Sequence, residues 1–205
     1  MTQEGLNRFD GFQFNSYYHL DGDPTSLSHD SIWTLFFNSN GELLVGTDSG
    51  LNVYDENKDT FRTLKLIDET IEKQPEVYAV TEDSTGVIWI GTSKGLFFYS
   101  HEQDVSRVEL AEYGGLQVGG VRAIVEAPDG KILIGTEQAG LFTVETEALE
   151  VNRLQYTETG ESILADTHVR DVVIDHLGNT WIGTFNGGDR KSTRLNSSHQ
   201  IISYA

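Results

Sequence analysis

Trp33, Tyr78, Arg122 and Arg170 occupy one repeated place in this chain, each directly after the first apolar residue of a short apolar run. Aromatic rings stack on sugar faces, and the arginine fork binds carboxylates or sulfates bidentately. If the runs circle an axis, these side chains form a ring near one end of a central channel, suited to a charged oligosaccharide. The structural alternative is that they wedge between packed layers, the arginines partnered by acids such as Asp171 or Glu126. No catalytic set accompanies them. The six histidines, His19, His29, His101, His168, His176 and His199, show no His-Glu-x-x-His spacing and read as surface or turn residues. There is no Gly-x-Ser-x-Gly elbow and no phosphate-binding loop. Asp55-Glu-Asn-Lys-Asp59 has the opening of a calcium loop, but Thr60 stands where Gly is required and Leu66 where Glu is. Asp21-Gly-Asp23 could hold a cation only with backbone help, and without cysteine there is no thiolate site. The expectation is a chain with no catalytic residues, no metal and no cofactor.

The elements that must position the four residues come from a repeat. Asp83-Ser-Thr-Gly-Val-Ile-Trp-Ile-Gly-Thr-Ser-Lys-Gly-Leu-Phe-Phe-Tyr99 reads as a Gly turn, an apolar strand ending in Gly-Thr, a second turn and another apolar strand. The phrase recurs as Asn40-Gly-Glu-Leu-Leu-Val-Gly-Thr, Asp129-Gly-Lys-Ile-Leu-Ile-Gly-Thr and Leu177-Gly-Asn-Thr-Trp-Ile-Gly-Thr. Its glycines Gly46, Gly91, Gly135 and Gly183 are spaced 45, 44 and 48 residues apart. A fixed period in this range marks a solenoid, propeller or array, and the short runs rich in Val, Ile, Trp, Phe and Tyr are strands. Four antiparallel strands in about 45 residues form the blade of a β-propeller. The fold class is therefore all-β, an incomplete β-propeller of about four four-stranded blades.

In the first unit strands are predicted at 32–37, 43–47, 51–54 and 60–66; in the second, at 77–82, 87–92, 96–99 and 105–110. The third unit spans 121–154, and the fourth starts at Val169 and stops after its second strand. Because the runs barely alternate polar with apolar, the strands should be buried on both faces. Trp89, Trp181, Leu44 and Leu133 share one register and read as blade packing. The Gly of Gly-Thr should permit close backbone approach, and the Thr hydroxyl should tie to a neighbouring strand. Thr2-Gln-Glu-Gly-Leu-Asn-Arg-Phe-Asp10 matches Thr47-Asp-Ser-Gly-Leu-Asn-Val-Tyr-Asp55 position by position. The chain thus divides into 1–27, the second half of a preceding blade with its connector; blades at 28–74, 75–119 and 120–166; a half-blade at 167–188; and a tail at 189–205. The stretches 68–75 and 157–162 read as polar connectors and 113–120 as a surface loop. Met1 reads as an internal methionine or a miscalled start.

The 205 residues carry 32 acidic against 14 basic side chains, a net charge of −18. Such acidity opposes a phosphate backbone and argues against nucleic-acid partners. No apolar run approaches the roughly 20 residues a membrane helix needs, and the first residues show no signal-peptide pattern. The tail is different: Asp189-Arg-Lys-Ser-Thr-Arg-Leu-Asn-Ser-Ser-His199 is basic and has no repeat relative. With the closing Ile202-Ser-Tyr-Ala205 it resembles the conceptual translation of a short-read sequencing adapter, and is expected to be foreign to the repeat. Its Asn196-Ser-Ser198, its His199 and the adjoining Gly187-Gly-Asp189 are discounted accordingly.

The phrase Asp-x-x-Gly-x-x-Trp-Ile-Gly-Thr-x-x-Gly-Leu, complete from Asp83 to Leu96 and partial from Asp175 to Gly187, resembles the two-component regulator propeller repeat. So does the opening Gly5-Leu-Asn-Arg-Phe-Asp-Gly-Phe-Gln-Phe14 with Asp23-Pro-Thr-Ser-Leu-Ser28. Departures are Leu44 and Leu133 in place of the Trp, and Ala127-Pro128 in place of the acidic turn entry. The resemblance implies a full propeller of about seven blades, the extracytoplasmic sensing part of an inner-membrane receptor with a histidine kinase or diguanylate cyclase as output. It implies an oligosaccharide or other small-molecule ligand, and the rest of the receptor chain as partner. Membrane contact would come only through segments outside these residues, and a homodimer would belong to the full-length receptor. Two other readings stand beside it: a propeller enzyme similar to streptogramin lyases or sialidases, supported by Gly178-Asn-Thr-Trp181, and an interaction platform.

Overall fold

The turn phrase builds itself locally. The Asp83 carboxylate accepts the backbone N–H groups of Thr85 and Val87 at 2.9 and 3.0 Å and the Trp89 indole N–H at 2.7 Å. Gly86, at φ 85°, supplies the left-handed position such a turn needs. Asp175 repeats the arrangement with Leu177, Asn179 and Trp181. Where the Trp is missing the Asp is missing too: Asn38 accompanies Leu44, and Ala127 accompanies Leu133. An alkyl side chain brings no N–H that needs an acceptor. Asn38 still caps its turn, accepting from the N–H groups of Asn40 and Glu42.

The computed structural model describes residues 5–66, 72–100, 104–110, 112–113, 116–154, 164, 166–185, 190–196 and 200–203. A first hairpin joins β1 (Leu6–Phe9) to β2 (Phe14–Tyr17). Four four-stranded antiparallel sheets follow. The first holds β3 (Ile32–Phe37), β4 (Leu43–Thr47), β5 (Gly50–Asp55) and β6 (Thr60–Leu64). The second holds β7 (Val77–Glu82), β8 (Ile88–Thr92), β9 (Gly95–Tyr99) and β10 (Ser106–Val108). A small hairpin, β11 (Glu112–Tyr113) with β12 (Leu116–Gln117), lies before the third sheet of β13 (Val121–Glu126), β14 (Ile132–Thr136), β15 (Leu141–Val144) and β16 (Val151–Leu154). The fourth contains β17 (Val169–Ile174), β18 (Thr180–Thr184), β19 (Arg190–Asn196) and β20 (Gln200–Ser203). Strand order within every sheet is sequential, and β3, β7, β13 and β17 contact one another in succession. Those four are the innermost strands, and the architecture is that of a β-propeller.

Two expectations are corrected. The stretch 113–120 contains a hairpin rather than only a loop, and its Val118 is 2% exposed in the core between the second and third sheets. The fourth sheet does not stop after its second strand: Thr180, Trp181 and Ile182 pair with Ser192, Lys191 and Arg190 of the tail. Backbone pairing reads no side-chain code, so the unpaired N–H and C=O groups along β18 accept any extended segment. Residues 67–71 and 155–163, which hold most of the two polar connectors, lie outside the described residues, as do His101, Gly187-Gly-Asp189 and His199.

The core sits in layers between sheets. Leu44, Leu51 and Val53 meet Val77, Val80 and Ile90 between the first and second. Trp89, Leu96 and Val108 meet Val121, Ile134 and Phe142 between the second and third. Ala123, Leu133 and Leu141 meet Val169 and Val172 between the third and fourth. The strands β8 and β14 are buried along their whole length, as unbroken apolar runs require. The glycines of Gly-Thr set the approach: a Cβ on Gly91 would lie 2.7 Å from the Val121 carbonyl oxygen, and one on Gly135 2.4 Å from Val169 Cγ1. The Thr hydroxyl donates to the carbonyl that opens the next strand or stands just before it. Thr47 reaches Gly50 at 3.0 Å, Thr92 reaches Gly95 at 2.9 Å and Thr136 reaches Gly140 at 2.9 Å.

Candidate functional site

Each innermost strand breaks register once, at its beginning. The shift falls between Ile32 and Thr34 in β3, Val77 and Ala79 in β7, Val121 and Ala123 in β13, and Val169 and Asp171 in β17. The skipped residues are Trp33, Tyr78, Arg122 and Arg170. A bulged residue leaves the ladder and its side chain is re-aimed, which is why bulges cluster beside functional sites. All four residues picked out by register in the sequence are therefore singled out again by the backbone.

The structure joins three of them. The Trp33 and Tyr78 rings meet edge-on with centroids 5.2 Å apart. The Arg122 guanidinium lies 3.5 Å from the Tyr78 centroid and 5.2 Å from that of Trp33. This is a cation–π sandwich on an aromatic corner. Arg170 stands apart, with its guanidinium 5.0 Å from the ring centroid of Phe185.

Fifteen positions downstream, directly after each Gly-Thr, stand Asp48, Ser93, Glu137 and Phe185, of which Asp48, Glu137 and Phe185 contact Trp33, Arg122 and Arg170 while Ser93 instead accepts the Glu76 N–H. The backbone explains the pairing, because the N–H groups of these residues donate to the carbonyls of Ser31, Glu76, Gly120 and His168, which precede the innermost strands. The Trp33 indole N–H donates to Asp48, and the Tyr78 hydroxyl donates to Glu76. Arg122 binds Glu137 through Nε at 2.7 Å and through a terminal nitrogen at 2.5 Å. Asp171 and Glu126, the acids expected to pair with arginine, are engaged elsewhere. Asp171 accepts the N–H of Val172, and Glu126 accepts the N–H and hydroxyl of Ser84. The sequence did carry a signal for Glu137, the fixed place after Gly-Thr, but not the bulge that makes that place face the ring.

Burial and pairing set the protonation states. Burial alone would raise Glu137, yet the Arg122 hydrogen bond and charge, helped by the Gly120 N–H, hold its carboxyl below the usual range. Burial, then the bond to Glu76, pushes the Tyr78 hydroxyl well above the usual tyrosine value, so it stays a donor. Near neutral pH this ring end offers aromatic faces, one neutralised arginine, and one arginine over a phenyl ring.

The opposite end of the same strands is a clasp. Ser39 donates through its N–H and hydroxyl to Glu82, and Ser84 does the same to Glu126, each tying one blade's turn to the next blade's innermost strand. At the third turn Pro128 replaces the Ser and Ile174 replaces the Glu. Three cavities lie away from the ring. One of about 840 Å³ runs along the outer strands of the first blade beside Asp55, Asn57 and Phe61. One of about 630 Å³ lies at the clasp end beside Phe37 and Glu82. One of about 310 Å³ lies between β1, β2 and β3, lined by Leu6, Arg8, Tyr17, Leu35, Phe37 and Phe61. Among the described residues no three His, Cys, Asp or Glu side chains converge as a metal site, and no helix is long and apolar enough to cross a membrane.

The fold is that of a β-propeller, with Trp33, Tyr78 and Arg122 clustered at one end of its innermost strands. The family model for the two component regulator propeller matches residues 72–94. The other units share the phrase of that stretch. Among solved structures, it is similar to the extracellular domain of BT4673 from B. thetaiotaomicron, described both as a one-component and as a hybrid two-component system. The likeness has a TM-score of 0.78 at 21% identity, over 95% of this chain and 25% of that one. It is also similar to PorZ, a surface component of the type-IX secretion system of Porphyromonas gingivalis, with TM-score 0.71 and 15% identity over 98% of this chain and 31% of that one. Virginiamycin B lyase from Staphylococcus aureus matches with TM-score 0.65 and 14% identity, over 94% of this chain and 59% of the lyase. These likenesses establish the fold. The chain spans about a quarter of the BT4673 domain. No curated protein sequence matches it.

Proposed function

We propose that this chain is a ligand-sensing region of an extracytoplasmic propeller in a membrane-bound two-component receptor, and that it recognises an oligosaccharide at the ring of Trp33, Tyr78, Arg122 and Arg170. The observation that carries the reading is the bulge repeated at the same place in all four innermost strands. At each bulge the side chain leaves the ladder, and three of the four meet in one aromatic and cationic corner. The repeat family and the likeness to an extracellular two-component domain support the receptor setting. The kinase or cyclase output, the membrane segment and any receptor dimer belong to the rest of that receptor. In this reading the aromatic corner stacks on a sugar face, the Arg122–Glu137 pair holds that corner rigid, and Arg170 adds a cation.

Calorimetry and thermal shift against a panel of neutral and acidic oligosaccharides test it. Trp33→Ala is expected to weaken binding of the best panel member about tenfold, or about 1.4 kcal/mol. Unchanged affinity in Trp33→Ala, and in an Arg122→Ala, Arg170→Ala double variant, would remove the ring from the reading. Steady turnover of a panel member would move a lyase-like enzyme ahead of the sensor.

A further inference from the structure

The four ring positions are electrostatically unequal. Trp33 commits its indole N–H to Asp48, Tyr78 its hydroxyl to Glu76, and Arg122 its guanidinium to Glu137. At the fourth position, the place that holds an acid in the first and third blades holds Phe185. Arg170 is exposed, stacks over that phenyl ring, and forms no ion pair among the described residues. Its neighbour Asp171 turns its carboxylate to the backbone of Val172. The arrangement has a use. Stacking one face on Phe185 fixes the guanidinium plane, and the five N–H donors at its edge stay available as a preset fork. Phe185 is 59% exposed and also carries the His168 ring, stacked on it at 5.2 Å between centroids.

We propose that Arg170 and Phe185 form an anion subsite of the ring, which takes a carboxylate or sulfate group on the ligand. Arg122 does not touch that anion: it is a positioning residue, neutralised by Glu137, that holds the Trp33–Tyr78 corner. This rests on the ring reading and adds to it which of the two arginines recognises charge.

The test is nuclear magnetic resonance of the arginine Nε–Hε groups in the full 205-residue chain. Sodium sulfate and sodium glucuronate are titrated separately, with sodium chloride holding ionic strength constant. The Arg170 resonance, identified by its loss in Arg170→Gln, is expected to move and saturate while that of Arg122 stays in place. Phe185→Ala should weaken saturation several-fold, and in Arg170→Gln the Arg122 signal should stay in place at every anion concentration. Sulfate alone saturating would mark a tetrahedral oxyanion site, and glucuronate alone a carboxylate site; either supports the inference. An Arg122 signal that moves together with Arg170, or a shift reproduced by sodium chloride, overturns it. A neutral oligosaccharide that quenches tryptophan fluorescence and loses affinity in Trp33→Ala, with Arg170 silent to every anion, sinks this inference and leaves the ring reading standing. Saturation by glucuronate at Arg170 with no panel member bound does the reverse.

Discussion

Trp89 and Trp181 stand at the same position of the same phrase, yet one is 1% exposed and the other 39%. Both donate the indole N–H to the aspartate six residues earlier, at 2.7 and 3.0 Å. The turn is therefore complete in both blades. The difference lies in the neighbour: Trp89 packs in the layer shared with Val121, Ile134 and Phe142 of the third blade. The innermost strands show the same effect from the other side. Val80 and Val172 are 9% and 4% exposed against preceding blades, whereas Leu35, at the equivalent place, is 53% exposed and faces the cavity beside β1 and β2. In this propeller the phrase specifies the turn, and the next blade supplies the stability.

Unfolding in urea can break that comparison most directly. Trp89→Ala is expected to cost about 3–5 kcal/mol, the range for a buried aromatic, and Trp181→Ala about 1 kcal/mol. Equal losses would mean that the turn, not the interface, carries the residue's contribution. The next largest effect falls on the close approach itself. Gly135→Ala sets a methyl group 2.4 Å from Val169 Cγ1, so the third and fourth blades must part, at a cost of about 1–3 kcal/mol.

The turn can be probed separately by acid. Burial alone would raise Asp83, but hydrogen bonds from Thr85, Trp89 and the Val87 N–H outweigh it and hold the carboxyl below its usual value. Asp175 is lowered likewise, first by Asn179 and Trp181. A carboxyl lowered in the folded state stabilises above its unfolded value, about 3.9, and that contribution is lost as pH falls toward the folded one. Melting temperature should thus be flat from about pH 7 to 5 and drop below about pH 4. Asp83→Asn should cost about 1–2 kcal/mol at neutral pH and flatten the drop; an unchanged acid limb would show that other carboxylates dominate. The smallest effect is expected at the clasp, where Ser84→Ala removes the hydroxyl bond to Glu126 on an exposed surface, leaves the backbone N–H bond in place, and costs about 1 kcal/mol or less. Chemical denaturation of that variant is the check.

The tail poses a comparison of its own. Residues 190–196 and 200–203 complete the fourth sheet as backbone, although their side chains do not follow the phrase that completes the other three. We propose that they stand in for a Gly-Leu-aromatic strand. Reading the source gene across codon 188 is expected to give Leu next, and a gene that encodes Asp189 onward would overturn this.

Much of the protein was settled by local chemistry, and so was legible in the residue string. The spacing of Gly46, Gly91, Gly135 and Gly183, the turn residues and the short β-branched runs determined the period, the strands and the propeller, because each depends on contacts within a few residues. The covariation of Asp with Trp, and of Asn or Ala with Leu, is equally local. The register of Trp33, Tyr78, Arg122 and Arg170 was also visible. Only the tertiary structure decided what those residues face. Their bulges, and the partners fifteen positions on from Trp33, Arg122 and Arg170, depend on how one hairpin closes over the start of the innermost strand, so arginine's acid is Glu137 and not Glu126 or Asp171. It also decided which tryptophan is buried, since burial is set by the blade that packs next to a phrase and not by the phrase itself.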